Sequence, residues 1–162
     1  MEELAEFLND ADLILDGSNC QVGIESTIID CTRGNPTILR PGAISDEMIE
    51  ETIKLKTVKK SSLNNIRASG LLEKHYSPKA RIQLDTAPVS GQGYLALSKF
   101  ETPFGVIRLA SPETNEEFAR KFYQALRDAD SMGLDSLVIR LPVGGGISVA
   151  IRDRAKRASR GR

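Results

Sequence analysis

The chain has 162 residues, 40% of them hydrophobic and 27% charged, with 22 Lys and Arg against 22 Asp and Glu for zero net charge. Such a length suits one domain or two small ones, and neutrality excludes a global pull toward nucleic acid or an anionic membrane. No apolar run approaches the ~18–20 residues that span a bilayer, and the acidic opening "MEELAEFLND" lacks a secretion-signal pattern, so a cytoplasmic location is expected.

Cys20 and Cys31 are the only cysteines and His75 the only histidine. That set cannot build a zinc site of the usual Cys/His type, and two buried, reduced thiols are expected. A single histidine in a proline-flanked segment also argues against a Ser-His-Asp hydrolase triad.

In chain order, Leu4, Phe7 and Leu8 recur at helical spacing and predict a short helix over 3–9. A strand at 13–15 runs into the turn signal Asp16-Gly17. The next strand, 25–31, has Ile28 beside Ile29, so apolar side chains point to both faces, as in a sheet covered on both sides. Pro36 precedes a third strand at 37–40 that ends in Pro41-Gly42. Ser45 is a good N-cap, Asp46 and Glu47 suit a first helical turn, and Met48, Ile49 and Ile53 supply a buried stripe.

Ser26 and Thr27 put adjacent hydroxyls on an apolar strand, and Arg40 stands at a strand end. Hydroxyls and a guanidinium fork both donate to phosphate or carboxylate oxygens, so the three can form an anion site. The plainer reading, ordinary strand hydroxyls and a solvated arginine, stands beside it.

From residue 54 to 79 the chain is basic, rich in Ser and Asn and without a sustained period, which reads as an extended linker. Pro78 pushes Ser77 toward an extended backbone. Beyond it a second α/β unit is predicted, with strands at 81–84, 94–97, 106–109 and 137–141. Thr114 and Glu117 have capping-box spacing for a long helix that buries Phe118, Phe122, Ala125, Leu126 and Ala129 and stops at Gly133. A final helix from about 147 turns Ala150, Ile151, Ala155 and Ala158 inward. Strands alternating with helices favour a small, mainly parallel sheet with Rossmann-like winding.

Gly144-Gly145-Gly146 matches neither the dinucleotide fingerprint nor the P-loop and reads as a turn. The basic tail, Arg152, Arg154, Lys156, Arg157, Arg160 and Arg162, reads as a solvated helix face in preference to an RNA contact. The phenylalanines and Tyr123 within 113–132 read as core.

Two stretches carry a resemblance. "DLILDGSNCQVGIESTIIDCTRGNPTILRPG", beginning at Asp12, and "RASGLLEKHYSP", containing His75 and Tyr76, resemble the threonylcarbamoyl-AMP synthase family. The likeness is to its longer members, with a YrdC-type catalytic domain, a His-Tyr-Ser/Ala-Pro linker and an accessory domain. The resemblance implies an α/β architecture: a C-terminal remnant of a YrdC-type twisted sheet over 1–53, a linker over 54–80, and a Rossmann-like accessory domain over 81–162.

It also implies a chemistry. The family joins L-threonine, bicarbonate and ATP, with Mg2+ assisting, into threonylcarbamoyl-AMP and pyrophosphate for the modification of adenosine 37 in tRNA. Carried over by position, Ser26 and Thr27 would meet threonine, Arg40 the ATP phosphates, and Tyr76, with His75 beside it, the nucleotide. No residue here is assigned as a catalytic base or metal ligand. The family's lysine- and arginine-rich segment and Ser-Ala-Asn motif precede the position of Asp12, where this chain has eleven residues. The chain is therefore expected to be a C-terminal portion, completed by an N-terminal half or a second copy. The alternative is a non-catalytic module that binds tRNA or a protein of the same pathway.

Overall fold

The computed structural model describes residues 9, 12, 13, 15, 20–32, 34–59 and 78–160. The helix expected over 3–9, apart from Asn9, lies outside them, as do Ile14, His75 and Tyr76. Leu13 and Leu15 belong to no strand and are exposed, which corrects the strand expected at 13–15. No neighbouring strand among the described residues offers them a ladder.

A first sheet has the order β1-β2-β3. β1 (Ile28–Asp30) pairs antiparallel with β2 (Thr37–Arg40), with Ile29 opposite Ile38. β1 is shorter than expected at both ends: before it the Ser26 carbonyl is taken by the Arg40 side chain, and after it the Asp30 carboxylate accepts from both the backbone N–H and the hydroxyl of Thr32, turning the chain out of the ladder. α1 (Asp46–Ile53) starts where predicted, with Ser45 accepting from the Met48 N–H. Of its expected stripe only Ile49 is buried; Met48 and Ile53 are exposed, since so small a sheet covers a single row of the helix.

β3 (Val58–Lys59) falls where the sequence predicts linker, yet it pairs parallel with β2. Lys54 takes a left-handed conformation, φ 57°, that closes α1. The Glu50 carboxylate then collects the Lys56 ammonium at 2.7 Å, the Thr57 N–H at 2.8 Å and the Thr57 hydroxyl at 3.0 Å. Those bonds fold the chain back alongside Thr37 and Ile38.

The second sheet contains β4 (Arg81–Leu84), β5 (Gly93–Leu95), β6 (Ile107–Ala110) and β7 (Ser136–Ile139), in the order β4-β7-β5-β6. Every pairing in it is parallel, as the alternation of elements predicts. α2 (Asn115–Ser131) follows β6 and α3 (Ile147–Ser159) follows β7. The α2 cap is a variant capping box: Thr114 accepts from the Glu117 N–H, while the Glu117 carboxylate accepts from the N–H of Glu113.

Both long helices lie on one face of this sheet. Leu95, Leu137 and Ile139 meet Phe118, Phe122, Ile151 and Ala155 in one core, and each fully buried phenylalanine contributes roughly 1.5–3 kcal/mol. The other face, with Tyr94, Ala96 and Val138, is covered by Phe100 and Val106. Arg108 closes it, stacked 4.8 Å from the Tyr94 ring and donating to the carbonyls of Ala96, Leu97, Phe100 and Ala110.

Two further expectations change. Cys20 and Cys31 are free thiols, but both are exposed; Cys20 lines an open cleft against α2, and Cys31 stands just past the end of β1. Arg154, expected on a solvated face, is buried. Among the described residues no helix is long and apolar enough to cross a membrane.

Candidate substrate-anion site

Of the three residues expected to form an anion site, Ser26 and Arg40 are hydrogen-bonded to each other, while the Thr27 hydroxyl is turned to Ile44. Cross-strand register sets Ile28 opposite Arg40, so the Arg40 side chain reaches back along β1. Its Nε donates to the Ser26 carbonyl at 3.0 Å and its Nη2 to the Ser26 hydroxyl at 3.1 Å. Arg40 is buried with 7% exposure while Ser26 is exposed, so a positive charge lies behind an accessible hydroxyl. The solvated-arginine reading is thereby excluded.

The Thr27 hydroxyl donates to the Ile44 carbonyl at 2.6 Å. Gly42 makes this possible: a Cβ there would stand 2.3 Å from the Thr27 nitrogen and 2.5 Å from the Glu25 carbonyl oxygen. No side chain fits between the Pro41-Gly42 turn and the strand. Beside it a cleft of about 270 Å³ is lined by Thr27, Gly42 and Ser45 from the first unit and by Val149, Asp153 and Arg157 from α3.

The second unit reaches the site through residues that sequence reasoning missed. Glu25, next to Ser26, accepts from Arg154 Nε at 2.7 Å and from the Tyr123 hydroxyl at 2.9 Å. Arg154 also donates to the Pro41 carbonyl at 3.4 Å and to Asp153 at 2.5 Å. Asp153 is shared with Arg157 at 2.8 Å. Burial alone would raise the Glu25 carboxyl; the hydrogen bond and charge of Arg154, its own backbone N–H and the Tyr123 hydroxyl outweigh that and hold it below the ordinary value. A signal for Arg154 existed: it lies in the inward stripe with Ala150, Ile151, Ala155 and Ala158.

Residues 44–160 match the family described as "Threonylcarbamoyl-AMP synthase, C-terminal domain". The chain belongs to the threonylcarbamoyl-AMP synthase family. Residues 1–42 match a second family, described as "Telomere recombination". The threonylcarbamoyl-AMP synthase of Pyrococcus abyssi is 30% identical, over 95% of this chain and 51% of the relative. That of Bacillus subtilis is 31% identical over 92% and 49%, and that of Schizosaccharomyces pombe 28% identical over 91% and 45%. The chain thus spans about half the length of the curated relatives it matches. The crystal structure of P. abyssi Sua5 complexed with L-threonine superposes with a TM-score of 0.72 at 27% identity, covering 87% of this chain and 47% of that one.

Proposed function

We propose that this chain is the C-terminal portion of an L-threonylcarbamoyladenylate synthase, the cytoplasmic enzyme that condenses L-threonine, bicarbonate and ATP and releases pyrophosphate for tRNA modification. The observation that carries the reading is the Ser26–Arg40 pair, an exposed hydroxyl backed by a buried guanidinium. It stands in a family whose P. abyssi structure is titled as a complex with L-threonine.

In this reading the Ser26 hydroxyl meets threonine and Thr27 lines the same pocket. An oxyanion accepting from Ser26 feels the Arg40 charge at short range, where partial burial weakens solvent screening. Arg40 supplies that charge for the ATP phosphates. Tyr76 and His75, in the linker, cover the nucleotide. Catalysis of this kind is chiefly positioning and charge neutralisation, which suits a site in which no residue is assigned as a general base.

Among the described residues no cluster of three or more Asp, Glu, Cys or His could hold a metal. The Mg2+ expected with ATP would be held largely by phosphates and water, with at most one or two carboxylates.

The division into a catalytic part over 1–53, a linker over 54–80 and an accessory unit over 81–162 belongs to the same proposal. Supply of the remaining ATP-binding elements by an N-terminal half, or by a second copy, fits the position of β1 at the edge of its sheet. The test is co-expression with an N-terminal half from a relative. Pyrophosphate release that requires both ATP and L-threonine supports the proposal. No release from a well-folded complex overturns it and leaves the accessory reading, in which the second unit binds tRNA or a pathway protein.

A further inference from the structure

The second sheet has a cleft of its own, independent of the Ser26–Arg40 pair. β5 and β7 are adjacent and parallel, yet the chain leaves them in opposite directions. After β5 it passes to the face of Tyr94 and Val138, where Phe100 and Val106 pack. After β7 it passes to the face of Leu137 and Ile139, where α3 packs. Neighbouring parallel strands whose continuations part in this way leave a crevice at their carboxyl ends, the usual place for ligands in open α/β sheets.

A cleft of about 450 Å³ opens at that point, a size that suits a small organic ligand. Lys99 and Phe100 come from the β5 continuation, Arg140 and Val143 from that of β7, Asp85 from the end of β4 and Arg152 from α3. Three cations thus face one carboxylate in a chain whose net charge is zero. The Asp85 carboxylate is partly committed, accepting the Leu141 N–H at 2.9 Å, and stands 4.0 Å from Arg140.

The cleft is also built to hold its shape. Arg152 donates to the carbonyls of Pro142 and Gly144, each at 2.8 Å, which fixes the loop after β7. Phe100 lies under two cations, Arg140 at 5.3 Å and Lys99 at 5.4 Å from its ring centre. Val143 is 80% exposed at the rim, an apolar surface beside those charges. Open space adjoins Gly144, whose φ of 103° glycine alone adopts easily.

We propose that this cleft binds a phosphate-bearing small molecule, with Arg140 and Lys99 on the phosphate and Phe100 and Val143 against its less polar part. Charge and concavity converge at the switch point, and the Arg140 fork suits phosphate oxygens.

The test is isothermal titration of the full chain with pyrophosphate, with AMP and with adenosine, alongside backbone NMR shifts. The expected result is binding of pyrophosphate and AMP, with shifts at 97–100 and 140–144, weakened tenfold or more by Arg140→Gln and by Lys99→Gln and unaffected by Lys156→Gln, an exposed cation outside the cleft. Both Arg140 and Lys99 are solvent-accessible at the cleft, so their replacement leaves the core intact. AMP binding more tightly than pyrophosphate identifies a nucleoside phosphate; equal binding identifies the phosphate alone. Adenosine binding as well as AMP, shifts confined to 24–45, or unchanged binding by both charge variants overturns the proposal.

Discussion

Arg154 and Glu25 form an ion pair at 2.7 Å between residues 129 positions apart. The same guanidinium reaches the Pro41 carbonyl. It therefore grips the residue before Ser26 and the residue after Arg40, from a helix of the other unit. Removing Arg154 leaves the partly buried Glu25 carboxylate with its Tyr123 hydrogen bond but without that cation, at a cost of about 1–3 kcal/mol. Arg154→Ala is expected to lower stability by that order in urea denaturation. Replacing both Arg154 and Glu25 with apolar residues is expected to recover much of the loss; a single variant as stable as the parent would show that the pair does not clamp the site.

Acid should act on two carboxylates. The Glu25 carboxyl lies below its ordinary value for the reasons given, and Glu50 is held down to about 2, first by its hydrogen bond to Lys56 and then by those to Thr57. A depressed folded value means that the contribution is complete above the unfolded value near 4.5 and is lost as pH falls through the folded one. Stability should thus decline below pH 4.5, with the Glu50 part disappearing only as pH approaches 2. Glu50→Gln should flatten that acid limb in pH-dependent denaturation; an unchanged slope would remove Glu50 from the account.

Arg40→Lys keeps the charge and loses the fork that spans the Ser26 carbonyl and hydroxyl. In a synthase completed with an N-terminal half, pyrophosphate release is expected to fall tenfold or more. Equal rates would show that charge alone suffices.

Gly23 has φ 74°, and a Cβ there would stand 2.2 Å from the Arg120 Cα. Both strain and a clash with helix backbone oppose a side chain. Gly23→Ala is expected to destabilise by roughly 1–3 kcal/mol, whereas Gly34→Ala, with nothing within 4 Å, should be near neutral. Chemical denaturation of the two variants side by side checks the contrast.

What could be read from sequence was local. Ser45 and Thr114 announce their helices because an N-cap bonds within three residues, and the inward faces of α2 and α3 follow from helical periodicity. The Ser26–Arg40 pairing is legible because the two residues sit in ordered motifs on neighbouring stretches of chain. β3 was hidden because it depends on Glu50 gathering Lys56 and Thr57, a geometry no period records. β7 stops short of its apolar run because the Leu141 N–H goes to Asp85. Arg154 is buried against sequence expectation because charge argues for solvent until a partner is known, and Glu25 is far away in the chain.

Ile24 has a consequence for how such proteins can be recombined. It belongs to the core built by α2, α3 and the second sheet, although it lies upstream of residue 44, where the accessory-family match begins. Gly23 and Glu25 on either side of it also lock onto α2 and α3. A chimera that exchanges residues 44–160 between relatives would graft a lock without its key. Its donor segment must bring along the tripeptide at 23–25, and these three positions should vary in concert with the helix surfaces they fit.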